Sequence, residues 1–195
     1  MVDHRPIIND INAANADFVT LQEVSRRNWS VLNGIENAVP YQAVCPFAAI
    51  GDVAIASRWP IIKDSVICPE KLGMVAAQFE TPDGKVWLVS IHLHWPWPHG
   101  QRGQAEKIID ILEPLDGPIL IGGDFNMVPW SYILGHFVDV TDTKIAGPVI
   151  RTFPLRDLVV LPIDHIFAPA HGQIESRPQL GSDHFGIVAQ VGLTL

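Results

Sequence analysis

Five apolar runs in this 195-residue chain each stop at an acid, an amide or an imidazole. The segments are Leu21-Gln22-Glu23, Ser90-Ile91-His92-Leu93-His94, Gly123-Asp124-Phe125-Asn126, Pro162-Ile163-Asp164-His165-Ile166 and Gly181-Ser182-Asp183-His184-Phe185. Short apolar runs bounded by turn residues read as buried strands. Ionisable groups at the ends of core strands are costly to bury singly, so they tend to be paired or to hold a metal. Each segment alone has a plainer explanation. A single His on an apolar strand is more often a satisfied core residue than a ligand, and an Asp near a glycine is commonly a loop cap. Five recurrences in one chain point instead to a polar site built on strand ends.

The most informative of the five follows Pro118-Ile119-Leu120-Ile121, which reads as a buried strand running into Gly122-Gly123. In an extended backbone residues i and i+2 face the same way, so Asp124 and Asn126 would project side by side. A carboxylate can accept a proton or hold a metal, while a carboxamide can donate to an oxyanion. The competing reading is a turn, because Gly, Asp and Asn are turn residues.

With 48% hydrophobic residues the chain can bury a substantial core, most simply as one domain spanning 1–195. Thirteen basic residues against 21 acidic ones leave a formal charge of −8. That balance argues against a protein built to coat nucleic acid, whose non-specific affinity comes from Lys and Arg on phosphates. An enzyme that meets phosphate locally is compatible with it, since a bound cation inverts the field of an acidic site. Cys45 and Cys68 are too few for a disulfide framework, and two half-buried free thiols are the expectation, one disulfide the alternative. No apolar run is long enough to span a membrane. The opening Met1-Val2-Asp3-His4-Arg5-Pro6 lacks the build of a signal peptide, so a cytoplasmic location is expected for the chain as it stands.

Ile7, Ile8 and Ile11 fall at helical spacing between Pro6 and Ala14, and Asp17 to Gln22 alternates like a strand that delivers Glu23. Ser25 is placed to cap a helix carrying Trp29, Leu32 and Ile35. Val53–Ala56, Met74–Phe79 and Val86–Leu93 read as strands, the last two joined at Thr81-Pro82-Asp83-Gly84. Between Arg102 and Leu115, Ala105, Ile108, Ile109 and Leu112 mark an amphipathic helix. Further strands are expected around Ile119, Ile163–Ala168, Gln173–Ser176 and Phe185–Val191. Many strands with few helices predict an α+β sandwich: two packed mixed sheets with helices outside.

The ordered set Gln22-Glu23, Ile91-His92-Leu93, Gly123-Asp124-Phe125-Asn126, Ile163-Asp164-His165-Ile166 and Ser182-Asp183-His184 resembles the endonuclease/exonuclease/phosphatase superfamily of deoxyribonuclease-I-like phosphoesterases. Ala54 to Ile61 resembles the strand and turn that family places between its first acid and first histidine, and Gly147 to Pro154 resembles a segment of its compact bacterial members. The likeness spans roughly 17–190 and implies a four-layer α/β sandwich with a metal-dependent site at one end. By motif, it implies that Glu23 holds a divalent cation, usually Mg²⁺ or else Mn²⁺, with Asp183 completing the acidic cluster. Asp124 and Asn126 would position the attacking water and the phosphorus. His184, oriented by Asp164, would contact phosphate or carry the proton, and His92 would bind phosphate from the other side. Arg58, Trp95, Trp97 and Arg102 are candidate substrate contacts. The implied partner is a phosphate ester, nucleic acid included, and the implied reaction is hydrolysis of a phosphodiester by in-line attack of water.

The family's usual first strand, with its metal-reaching Asn, does not precede Asp17; Asn9, Asn12 and Asn15 lie in a helical stretch instead. A missing strand would leave an edge open to pairing with a second chain. Two other readings stand beside the main one. His92-Leu93-His94 and the two Asp-His pairs suggest a zinc hydrolase, and the absent strand suggests a weakened binding module of the same fold.

Overall fold

The computed structural model describes residues 3–156 and 158–193, so Met1 and Val2 of the opening segment lie outside the described residues. Its elements run α1 (Arg5–Ala14), β1 (Phe18–Val24), α2 (Ser30–Ile35), β2 (Tyr41–Ala48), β3 (Gly51–Ser57), β4 (Met74–Thr81) and β5 (Gly84–His92). The second half contributes the short turn α3 (Pro96–His99), α4 (Gln101–Leu112), β6 (Ile119–Asp124), α5 (Tyr132–Val140), β7 (Lys144–Ile145), β8 (Phe153–Leu155), β9 (Val159–Leu161), β10 (Asp164–Ala168), β11 (Gly172–Arg177) and β12 (Gly186–Val191).

Strand alternation builds the layers. In β3, Val53 and Ile55 face one way and Ala54 and Ala56 the other. The alanines pack with Leu32, Ile35, Ile8 and Ile11 beneath α1 and α2. Val53 and Ile55 meet Val75, Ala77, Phe79 and Leu88 of the facing sheet. The opposite faces of those strands, Met74, Ala76, Val89, Ile91, Ile119 and Ile121, pack against Ile108, Leu112, Leu134 and Phe137 of α4 and α5. Three apolar clusters therefore separate four layers: helices, sheet, sheet, helices. The expected sandwich is the observed one.

One main sheet has the order β1-β3-β2 and the other β4-β5-β6-β10-β7; β8-β9 and β11-β12 are separate hairpins. Within the larger sheet β5 and β6 run parallel and β10 runs antiparallel to β6. Register sets His92 beside Asp124, and Asp124 beside Asp164. Three candidate site residues thus stand abreast, at the about 4.8 Å spacing of neighbouring strands. Close strand packing here depends on glycine: a Cβ at Gly123 would lie 2.9 Å from Ile91 N, and one at Gly122 would lie 2.5 Å from Thr20 Oγ1.

Several local readings need correction. Ser25 does not cap α2, because its N–H donates to Asn28 Oδ1 while Asn28 Nδ2 donates to Glu23 O. The chain uses this turn to leave Glu23, and the helix begins later, at Ser30. Strand β2, interrupted by Pro46, and helix α5, capped by Ser131 Oγ accepting from Leu134 N–H, lacked a clear periodic signal. Cys45 and Cys68 are not free thiols; they form a disulfide with Cα atoms 5.4 Å apart. The sequence could not place them together because the contact is tertiary. Cys45 lies on β2, and the chain before β4 folds back through an Ile67–Ala76 bridge to bring Cys68 onto it.

Candidate active site

Asp124 ends β6 and is 6% exposed. Its Oδ1 accepts the Asn126 backbone N–H at 2.8 Å, and its Oδ2 accepts Asn126 Nδ2 at 3.2 Å. Asn126 Nδ2 also donates to Leu93 O at 2.7 Å. The pairing of these two side chains was legible, although its expected cause was not. Asn126 has φ 49°, so the strand stops at Asp124 and a left-handed turn folds the amide back onto the carboxylate.

Asp164 opens β10 next to Asp124, with its N–H donating to Thr152 Oγ1 at 3.3 Å. Its Oδ2 lies 2.9 Å from His184 Nδ1. The other ring nitrogen of His184, Nε2, is 3.9 Å from Asp124 Oδ2. His184 follows the loop before β12, where Ser182 Oγ accepts its N–H, and its ring lies 4.7 Å (centroid to centroid) from that of Phe153. His92, at the end of β5, places Nε2 3.6 Å from Asp124 Oδ2 and is 3% exposed. Its Nδ1 is buried without a hydrogen-bond partner among the described residues.

Burial and charge set the protonation states. Burial, then the charge of Asp164, raises the Asp124 carboxyl, with His184 opposing. Burial alone would lower His184, but the hydrogen bond and charge of Asp164, with the charges of Asp124 and Asp183, outweigh it and raise His184 to about 9. Burial and the neighbouring His184 and His94 lower His92 to about 4, so it is a neutral imidazole. Glu23 is raised by burial and by the charge of Asp183, which places these carboxylates and His184 in one electrostatic cluster. Glu23 sits at a bulge in the β1–β3 pairing with φ 58°. Gly51 permits that bulge: with φ 139°, a Cβ there would lie 2.6 Å from Glu23 Cα.

The remaining candidates separate. Trp95 and Arg102 line a cleft that reaches Asn126, although Arg102 is held by Glu106 at 2.8 Å. Trp97 is 85% exposed beside it in the chain. Arg58 is not brought to the site. It stands at the far end of β3, where Ser57 pairs with Phe18, and its guanidinium donates to Asn15 O and Oδ1 at the end of α1. His165, adjacent to Asp164, faces the opposite side of β10. Its Nε2 is 2.8 Å from Met127 O, and its ring lies 5.8 Å from that of Phe125, so it is a satisfied core histidine.

Supporting residues that sequence reasoning missed come from α4 and β5. Gln101 Nε2 donates to the carbonyls of His94, Phe125 and Asn126. Gln104 accepts from His94 N–H and donates to the carbonyls of His92 and Leu72. These amides tie the loops after β5 and β6 together. Their signal was present, since two glutamines at i and i+3 share the buried face of an otherwise apolar stripe. Ser90 Oγ accepts from Gln22 Nε2 at 2.9 Å, which links the two main sheets just behind the site.

An antiparallel sheet packed on a mixed one, with acids and imidazoles converging at their strand ends, defines a deoxyribonuclease-I-like phosphoesterase architecture. The chain belongs to the endonuclease/exonuclease/phosphatase family, whose model matches residues 2–184. Members of that family are divalent-metal-dependent phosphoesterase hydrolases. Among solved structures, a protein of this family from Beutenbergia cavernae DSM 12333 superposes with a TM-score of 0.74 at 18% identity, covering 100% of this chain and 67% of that one. A beta toxin variant from Staphylococcus aureus, crystallised with bound magnesium ions, gives 0.72 at 18% identity and covers 95% and 90%. Truncated Caenorhabditis elegans TDP2 gives 0.69 at 18% identity and covers 93% and 86%. No curated protein matches the sequence significantly. No helix among the described residues is long and apolar enough to cross a membrane.

Proposed function

We propose that this chain hydrolyses phosphodiesters with the aid of Mg²⁺ or Mn²⁺, by in-line attack of a water molecule. The observation that carries this reading is the convergence of Asp124, Asp164 and His184, whose ligand atoms all lie within 4.8 Å of one another. The donor set fits a hard cation, because it is rich in carboxylate oxygen. Burial first, and neighbouring carboxylate charge second, raise both Asp124 and Glu23, and a cation would relieve the second of these. Within the cluster, Asp124 and Asp164 are already engaged by Asn126 and His184. Glu23 and Asp183 add two carboxylates whose charges reach this cluster, and they would hold the ion beside it. Bound there, the cation supplies Lewis-acid stabilisation of charge on a phosphoryl oxygen.

The other roles belong to side chains on the page. Asp124 accepts the proton of the attacking water, a task matched to a carboxyl raised by burial. His184 enters protonated, with Nδ1–H on Asp164 and Nε2–H free to donate to the phosphoryl or departing oxygen. His92 adds a neutral hydrogen bond on the opposite flank without adding charge. Asn126 fixes the Asp124 carboxylate and presents its amide beside the phosphoryl position.

The test is hydrolysis of bis(p-nitrophenyl) phosphate with Mg²⁺, Mn²⁺, Zn²⁺ or chelator, beside Asp124→Ala. The expected result is turnover with Mg²⁺ or Mn²⁺ that chelator abolishes, and a loss on the order of 10³-fold or more in the folded variant. Undiminished activity in a folded Asp124→Ala protein would remove the assignment. Turnover with stoichiometric zinc alone would favour a zinc hydrolase.

A further inference from the structure

A cleft of about 500 Å³ is lined in part by Asn126, and its lining includes none of the acidic cluster. Its walls include Trp95, Met127, Val128, Ile133, Leu161 and Ile163. Asn126 belongs to both cleft and site, so a group seated here would be attached to the phosphorus next door. Aromatic rings make the join continuous: Phe153 lies 4.7 Å from His184 and 5.8 Å from Trp95. Tyr132, which lines the cleft at the start of α5, is 84% exposed, and Trp130, in the turn before that helix, is 74% exposed.

Charge narrows the occupant. Arg102 is the cation in the lining, and Glu106 already binds it. A cleft meant to track a polynucleotide needs free cations for successive phosphates, and it needs partners for base edges. Here the cation is engaged, and most polar groups of the lining are spent within the protein: Gln101 Nε2 on three carbonyls, Asn126 Nδ2 on Leu93 O and Ser131 Oγ on Leu134 N–H. A base edge pressed against Ile, Leu, Met and Val would therefore leave donors and acceptors unpaired. Apolar walls with one polar end, at the site of chemistry, suit an apolar substituent on a phosphate.

We infer that this cleft is the subsite for an alkyl or aryl alcohol group of a hydrophobic phosphodiester. The inference rests on the phosphodiesterase reading above and adds the class of substrate. It predicts that specificity grows with apolar length, by roughly three- to fourfold per methylene until the cleft is filled.

The experiment compares p-nitrophenyl diesters carrying ethyl, butyl, hexyl or thymidine 5′ groups, in the wild type and in Val128→Asn and Tyr132→Ala. The expected outcome is a kcat/KM that climbs from ethyl to hexyl by about two orders of magnitude and falls below hexyl for thymidine. In the variants the climb flattens, with hexyl-ester kcat/KM falling by a larger factor than ethyl-ester kcat/KM. A flat length profile in the wild type, or preference for thymidine, overturns the inference and in the second case favours nucleic acid. Binding of hexyl phosphate against ethyl phosphate, followed by tryptophan fluorescence on Asp124→Ala, reads the subsite without turnover. Tighter hexyl phosphate there, with no diester cleaved under any metal, would sustain the cleft assignment and defeat the catalytic one. Equal affinities would overturn the cleft assignment.

Discussion

Asp164 Oδ2 holds His184 Nδ1 at 2.9 Å across twenty positions of sequence, and the register of β10 against β6 puts that same carboxylate beside Asp124. One side chain therefore sets the ring orientation of His184 and raises the proton affinity of two neighbours.

Asp164→Asn should keep the fold and remove the charge. The His184 pKa, about 9 in the parent protein, is then expected to fall toward the ordinary imidazole value of about 6.5, because burial lowers it against only the remaining charges of Asp124 and Asp183. Turnover should drop about 10²- to 10⁴-fold. NMR titration of the His184 ring checks the first effect and diester hydrolysis the second. An unchanged His184 titration in the variant would show that the hydrogen bond does not control it.

Glu23 and Gly51 offer a test of metal placement that separates it from proton transfer. Glu23→Gln should raise the Mg²⁺ concentration for half-maximal activity while leaving measurable turnover at saturating ion. Gly51→Ala touches no reacting group, yet its methyl would displace the Glu23 main chain at the bulge. It should mimic Glu23→Gln, with an about 10- to 100-fold weaker apparent metal affinity. Asp124→Asn should lower activity at every metal concentration. If Glu23→Gln and Asp124→Asn respond alike to added Mg²⁺, the division of roles is wrong.

Metal-free stability should depend on pH in a defined direction. His184 is raised by folding, so its contribution is complete below about pH 6.5 and is lost as pH climbs through about 9. Asp124, also raised, works in the same direction above its ordinary value. His92 is depressed to about 4, and it penalises the fold as pH drops from about 6.5 toward 4, by at most about 3 kcal/mol. His165, depressed by burial, adds to that acid limb. On the acid side these opposing effects offset one another, whereas on the alkaline side His184 and Asp124 act together. The melting temperature of chelated protein should therefore fall between pH 6.5 and 9, and Mg²⁺ should stabilise more at pH 9 than at pH 6.5. Thermal melts with chelator and with Mg²⁺ at both pH values check this.

Much of this was readable from the chain, for physical reasons that differ by residue. Strand alternation around Val53, Met74 and Val89 gave the two sheets, because a period of two is local. The strand-end polar groups pointed to Asp124, Asp164 and His184, because ionisable residues in apolar segments are expensive anywhere else. Arg58 went astray since a cation following a strand carries no label for which end of the sheet it occupies. His165 looked like a ligand because adjacent strand residues face opposite sides, and only register shows which side holds the site. The Cys45–Cys68 contact was invisible for a related reason: it joins an irregular segment to a strand that the pattern did not reveal.

That disulfide closes a segment with a sequence separation of 23, and its removal should be felt by the whole sandwich. Cys45 is buried against Val53 and Val75 between the two main sheets, so the link ties β2 to the chain entering β4. Loop-closure entropy for a segment this long is worth about 3 kcal/mol. In a chain of this size each kcal/mol shifts the melting temperature by about 2–4 °C. Reduction followed by alkylation should thus lower the melting temperature by roughly 6–12 °C while the far-UV spectrum is retained at room temperature. The link lies near the candidate site, since Ala76, which bridges Ile67, pairs with Val89 on β5, and the ring of Phe47, two residues from Cys45, is 5.4 Å from that of His92, so reduction should also weaken turnover. Thiol titration of the unfolded, unreduced protein supplies the prior check, with no free thiol expected; two titratable thiols would show that the bond does not form.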